Sequence, residues 1–152
     1  MIRNRWDVLA VIAAGGAVGS VARWSLTLAL PHTGGEFPWA TWWANVTGAF
    51  ALGVLMVFVL DVWPPRRYVR PFLGVGVLGG YTTYSTMMND TRSLAAAGSP
   101  GTAAGYLALS VGAGLAAIWL GIVLARVLVA AGEVRRRRNR DLDAEPDVRS
   151  RQ

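Results

Sequence analysis

A chain of 152 residues that is 53% hydrophobic, with 18 glycines and seven tryptophans, has length for one domain but a composition foreign to ordinary soluble ones. The absence of cysteine excludes a disulfide framework, thiol chemistry and a thiolate metal site, and a single histidine, His32, excludes a histidine-built metal or catalytic centre. The formal charge of +6 rests on 15 arginines and no lysine; seven of them lie beyond residue 134, which argues for orientation or contact with anionic lipid rather than nucleic-acid binding.

Four apolar stretches, at about 7–30, 37–60, 69–97 and 101–130, each reach the roughly 20 residues that cross a bilayer. They predict an all-α integral membrane protein of four transmembrane helices. Residues 1–132 form the membrane domain, and 133–152 a basic tail too poor in apolar surface to fold. The start of the chain, with Arg3 and Arg5 ahead of an apolar run, resembles a secretory signal. Its apolar character continues to Leu30, beyond a signal core, so it reads as a retained first helix.

On that first helix Gly15 with Gly19, and Gly16 with Ser20, make a small-residue row for close helix packing. Arg23 lies in its last third, either as an orienting charge that pairs or snorkels, or as a fixed positive charge at a vestibule that draws anions. A turn over 31–36 leads to the second helix, where Thr41, Asn45 and Gly48 share one face. An asparagine in a span either bonds a neighbouring helix or lines a polar path, and spacing alone does not choose. Trp6, Trp39, Trp42, Trp43 and Trp63 fall near span ends, as interfacial anchors. The 61–68 connection carries paired prolines, Pro64 and Pro65, that stop the helix.

The third stretch holds two motifs of unequal weight. Gly74-Val-Gly-Val-Leu-Gly79 fits the dinucleotide fingerprint in letters only, because that motif needs a strand before it and a soluble βαβ unit around it. Gly79-Gly-Tyr-Thr-Thr-Tyr-Ser-Thr86 is a polar cassette inside an apolar span, and its glycines and threonines weaken a helix by roughly 2–3 kcal/mol in all. A non-helical turn over 79–83 follows, tolerated in lipid only where protein or a water-filled cavity surrounds it. Freed carbonyls there suit a small hard cation, hydroxyls and tyrosine edges suit an anion, and a packing kink needs neither. Ser99-Pro100 opens the fourth helix as N-cap and first residue. On that helix Tyr106 and Ser110 share a face that Gly114 and Ala117 continue without polar groups; Gly105 and Gly112 to Gly114 add small-residue surface.

With four spans, both termini and the 61–68 loop share one side, carrying Arg3, Arg5, Arg66, Arg67, Arg70 and the tail arginines against Arg92 alone opposite. This bias predicts both ends in the cytoplasm of a bacterial inner membrane, multi-pass.

Three motifs, Gly16-Ala-Val-Gly-Ser-Val-Ala-Arg23, Thr41-Trp-Trp-Ala-Asn45-Val-Thr-Gly48 and the 79–86 cassette, together resemble the fluoride channel family called Fluc or CrcB, over all four spans. The resemblance implies an antiparallel, dual-topology-type dimer with the third helix broken near its middle, two fluoride pores, and a structural sodium ion held by the backbone carbonyls of Gly79 and Thr82 from both subunits. It places Thr41, Asn45, Tyr84, Met87, Tyr106 and Ser110 along the fluoride pathway and Arg23 at its vestibule. The family's usual pair of phenylalanines is Tyr84 and Met87 here, its hydroxyl one turn after Ser110 is Gly114, and its acidic residue after the cassette is Asp90. The implied activity is passive fluoride export, without catalysis.

The orientation bias sits awkwardly with a homodimer and favours a heterodimer with an oppositely oriented paralogue, surrounded by membrane lipid. Two alternatives stand beside the channel: a non-conducting partner subunit, and a small proton-coupled exporter. The exporter wants a carboxylate deep in the first helix, and residues 8–30 contain none.

Overall fold

The computed structural model describes residues 3–33, 35–64 and 66–149. Met1, Ile2, Gly34 of the first turn, Pro65 of the proline pair and residues 150–152 of the tail lie outside the described residues. Helix α1 spans Arg3–Ala29; α2 spans Trp39–Val57 and continues as a π-wound stretch over Phe58–Val62. The α3 segment is π-wound over Arg70–Leu78 and ends in the turn Gly79–Tyr81, α4 is Tyr84–Ala96, and α5 is Pro100–Arg149. No strand occurs among the described residues.

Three helices, over Arg5–Ala29, Trp39–Val62 and Pro100–Arg135, are long and apolar enough to cross a membrane. The stretch at 69–97, expected as the third of four spans and broken near its middle, is two shorter pieces, with Gly79–Tyr81 still helical and the break confined to Thr82 and Thr83. At the junction Thr82 (ψ 156°) and Thr83 (φ −152°, ψ 120°) are extended, so the helical ladder stops at Tyr81 and restarts at Tyr84. The π-wound ends of α2 and α3 carry i→i+5 bonds, seen where Trp63 N–H reaches the Phe58 carbonyl at 2.8 Å. Trp63 then turns extended (ψ 140°), as the residue before Pro64 must.

Small residues set which helices meet. A Cβ on Gly15 would sit 2.5 Å from the Phe72 carbonyl oxygen, and one on Gly19 would overlap the Val77 carbonyl, so α1 lies directly on the α3 backbone. Gly53 against Ile118 and Gly121 against Phe50 do the same for α2 and α5. The glycine row of the fourth span departs from expectation: Gly105, Gly112 and Gly114 have open space where a Cβ would go, so they serve no close approach within this chain. A buried cluster of Met87, Leu94, Ala103 and Tyr106, with Phe37, Trp42 and Leu107 against it, joins α2, α4 and α5. Trp42 is therefore part of a packed core edge as well as lying near a span end.

The turn into α5 uses Gly98 at φ +82°, with Ser99 N–H returning to the Leu94 carbonyl at 3.1 Å, a helix stop that a left-handed glycine permits. On the other side of the fold, Arg67 and Tyr68 both reach Asp7 (2.9 and 2.8 Å), tying the 61–68 connection to the start of α1. Donation to that carboxylate raises the Tyr68 phenol above its ordinary pKa. Helix α5 runs on through Glu133 to Arg149, over the segment whose composition predicts an unfolded tail. Arginine, alanine and leucine are strong helix formers, and a helical ladder needs no tertiary partner to continue.

Candidate functional site

The break in the third stretch is held from outside by one side chain. Asn45, on α2, accepts the Thr83 N–H on Oδ1 at 2.8 Å and donates Nδ2–H to the Thr83 carbonyl at 3.0 Å. Of the two roles that spacing left open, bonding a neighbouring segment is the one the geometry displays. One Nδ2–H is left over, since the amide carries two. Thr83 also caps α4: its Oγ1 accepts the Thr86 N–H at 3.2 Å and donates to Thr86 Oγ1 at 2.9 Å.

These diversions have a consequence for two carbonyls. In an unbroken helix the Thr83 N–H would close on Gly79 O and the Thr86 N–H on Thr82 O; Asn45 and Thr83 Oγ1 take both donors instead. Gly79 is exposed and meets nothing within 4 Å of a notional Cβ. Both residues line a groove of about 480 Å³, together with Asn45, Gly48, Tyr84 and Met87. Two neutral carbonyl oxygens released from their helix are the donor type a hard cation takes, but too few to replace its hydration alone. A cation there fits only if a second set of oxygens faces the first. No group of three acidic, histidine or cysteine ligands occurs among the described residues.

Tyr84 and Met87 do not form a matched pair of edges. Tyr84 is 72% exposed on the groove side, whereas Met87 is 7% exposed and packs into the core cluster. At α4 spacing the two fall on neighbouring faces, and the apolar core claims the methionine.

Beneath the groove lies a buried hydroxyl track. Thr41 Oγ1 donates to Asp90 Oδ2 at 2.7 Å, both residues being buried. Tyr106 (1% exposed) and Ser110 (5%) follow on α5, the Tyr106 phenol lying beside the Ser110 and Thr41 hydroxyls. The Trp42 indole N–H is buried and unpaired. The hydroxyls of Tyr106, Ser110 and Thr41 thus lie beside one another in a buried setting, where an unmet donor costs about 1–3 kcal/mol. Phe37 holds the Tyr106 ring edge-on, with ring centres 5.2 Å apart.

A second, smaller cavity of about 190 Å³ adjoins this track. Its walls include Ser20, Arg23, Thr27, Thr41, Thr83 and Thr86: five hydroxyls, one guanidinium and no carboxylate. Thr27, Thr41 and Thr83 already donate their hydroxyl hydrogens to Arg23 O, Asp90 Oδ2 and Thr86 Oγ1, which leaves Arg23, Ser20 and Thr86 as the donors facing an anion there. Arg23 thus stands beside Thr41 and the break, in the arrangement its vestibule reading requires. Thr27, Phe37 and His32 are contributors that spacing did not single out, whereas Thr86 belongs to the 79–86 cassette and Ser20 to the small-residue row of α1. Ser20, Arg23 and Thr27 do fall at i, i+3 and i+7, a one-face pattern that an apolar-periodicity reading passes over.

Comparison with known proteins gives one family. The family model described as CrcB-like protein, Camphor Resistance (CrcB), matches residues 10–122. A protein of Streptomyces avermitilis named fluoride-specific ion channel FluC 2 is 50% identical over 113 residues, 72% of either chain. From the same organism, fluoride-specific ion channel FluC 3 is 48% identical over 128 residues, 84% of this chain and 63% of the relative. Fluoride-specific ion channel FluC 1 of Streptomyces coelicolor is 46% identical over 124 residues, 82% of this chain and 80% of its own.

Proposed function

This chain belongs to the CrcB family, a family of ion channels and not of enzymes, and on that premise we propose that it is a fluoride-specific channel subunit that passively relieves the cytoplasm of fluoride. The observation that carries the reading is the pair of buried hydroxyls of Tyr106 and Ser110, in line with Thr41 and the cavity that Arg23 walls. Fluoride is small and tightly hydrated, so a path for it must replace water with closely spaced donors.

The path begins at the cavity walled by Arg23, whose fixed charge draws anions. It passes the hydroxyls of Thr83 and Thr86 and the spare Nδ2–H of Asn45, then Thr41, Tyr106 and Ser110. Tyr84 adds an aromatic edge at the groove, where Met87 adds none. Several weak sites in series allow exit as well as entry.

The groove gives the subunit its partner. Gly79 and Thr82 would hold a structural sodium ion through their carbonyls, with a counter-oriented subunit supplying the same two, and that ion would neutralise oxygens the break has stripped of donors. Such a subunit crosses the inner membrane four times, the broken third stretch being one crossing, with both termini cytoplasmic. The two relatives FluC 2 and FluC 3 of one organism, Streptomyces avermitilis, are consistent with a heterodimer of paralogues. A second reading, a non-conducting partner subunit, draws on the burial of Met87, which leaves one position of the aromatic pair without an edge.

Fluoride efflux from proteoliposomes tests the reading, with the chain alone and with a co-expressed paralogue. The expected result is efflux that Asn45→Ala and withdrawal of sodium both abolish. Efflux indifferent to both changes contradicts the site; efflux in the mixed dimer that ignores Asn45→Ala, yet vanishes when the paralogue's asparagine is replaced, establishes the non-conducting partner instead.

A further inference from the structure

We propose that His32 sets the charge at the mouth of the hydroxyl track: protonated, it neutralises Asp90 and admits anions, so that conduction along this chain is acid-activated. The inference rests on the channel reading and adds a residue to it. A buried carboxylate is an obstacle to an anion, because like charges repel strongly where water is scarce. Asp90 is 8% exposed, and its Oδ2 accepts from Thr41, itself a wall of the anion cavity. Its other oxygen, Oδ1, lies 3.8 Å from His32 Nε2.

The geometry assigns this task to His32 over its neighbours. Among the described residues the ion pairs within 4 Å are His32 with Asp90 and Arg67 with Asp7, so no arginine neutralises Asp90 directly. The other ionisable groups around it are accounted for. Glu36, on the same loop, is exposed and accepts the Thr33 N–H; Arg92, on α4, is exposed and bonds Asn89; Arg23, on α1, borders the anion cavity; Tyr106, on α5, presents a neutral phenol. The His32 side chain is 23% exposed, in touch with solvent protons, against 10% for Asp90. Histidine is also the side chain whose ordinary titration falls between about pH 5 and 8. An uncharged imidazole leaves the carboxylate to repel and an imidazolium cancels it; acid, in which external fluoride enters cells most readily as its neutral acid, favours the second.

The test is fluoride efflux at the same pH on both sides of the vesicle, corrected for the leak of protein-free vesicles. Wild-type efflux should rise about tenfold from about pH 8 to about pH 5. His32→Gln should stay at the alkaline level throughout, and His32→Arg at the acid level throughout. A His32→Gln channel that still follows the wild-type rise overturns the proposal. A double-mutant cycle of His32→Gln with Asp90→Asn on melting temperature reads the pair without flux: coupling is expected in acid and absent in alkali, and no coupling in acid also overturns it. Coupling in acid with no fluoride flux in any variant would leave the pair standing and remove the channel reading.

Discussion

Tyr106 and Ser110 separate function from folding more cleanly than any other residues of the site. Their hydroxyls are buried beside one another, so removing both together leaves neither without its neighbour. Tyr106→Phe and Ser110→Ala together should therefore leave the melting temperature in detergent unchanged or higher while fluoride flux falls. Asn45 behaves oppositely, since its amide holds both polar groups of the Thr83 backbone. Asn45→Ala should destabilise the protein by about 1–3 kcal/mol as well as stop flux. Residue type and spacing put Thr41 with Asn45, and Tyr106 with Ser110, on shared faces, because one-face patterns at i, i+4 survive whatever the tertiary structure does. They did not reveal that Asn45 bonds the break, nor that Met87 turns into the core and Tyr84 away from it. Those depend on which neighbour each face meets.

At the scale of elements, the break is the feature that organises the rest. Gly79-Gly80 and Thr82-Thr83 announce it in one dimension, but its exact form comes from a capping hydroxyl and a distant amide acting on the same residue. Thr83→Ala removes the α4 cap, and a loss of about 1 kcal/mol in thermal unfolding is the expected outcome. The π-winding of Arg70–Leu78 left no mark that periodicity can detect. Its physical setting is the α1 contact, where carbonyls of α3 lie against Gly15 and Gly19. Gly19→Val places a side chain on the Val77 carbonyl, so α1 and α3 can no longer touch; loss of folded protein on size-exclusion chromatography is the expected result. The small-residue rows of α1 and α2 were thus legible as packing seams. That of α5 was not, because an open glycine and a packed one look alike in one dimension.

For the whole molecule, the groove over Gly79 and Thr82 is the surface left unfinished by one chain. An apolar, glycine-lined opening of about 480 Å³ beside carbonyls without helical donors is a poor surface to expose to lipid. On the proposed reading a counter-oriented partner would cover it, and the arginine distribution predicts that this chain fills one of the two orientations. The account's central claim is that the buried hydroxyls are a fluoride path and not a packing accident. Fluoride and chloride efflux from vesicles carrying wild type and the Tyr106→Phe/Ser110→Ala double variant, with paralogue present where one is needed, tests it directly. The account predicts fluoride-selective efflux in wild type and a large loss in an equally stable double variant. Equal fluoride efflux from both proteins would contradict it.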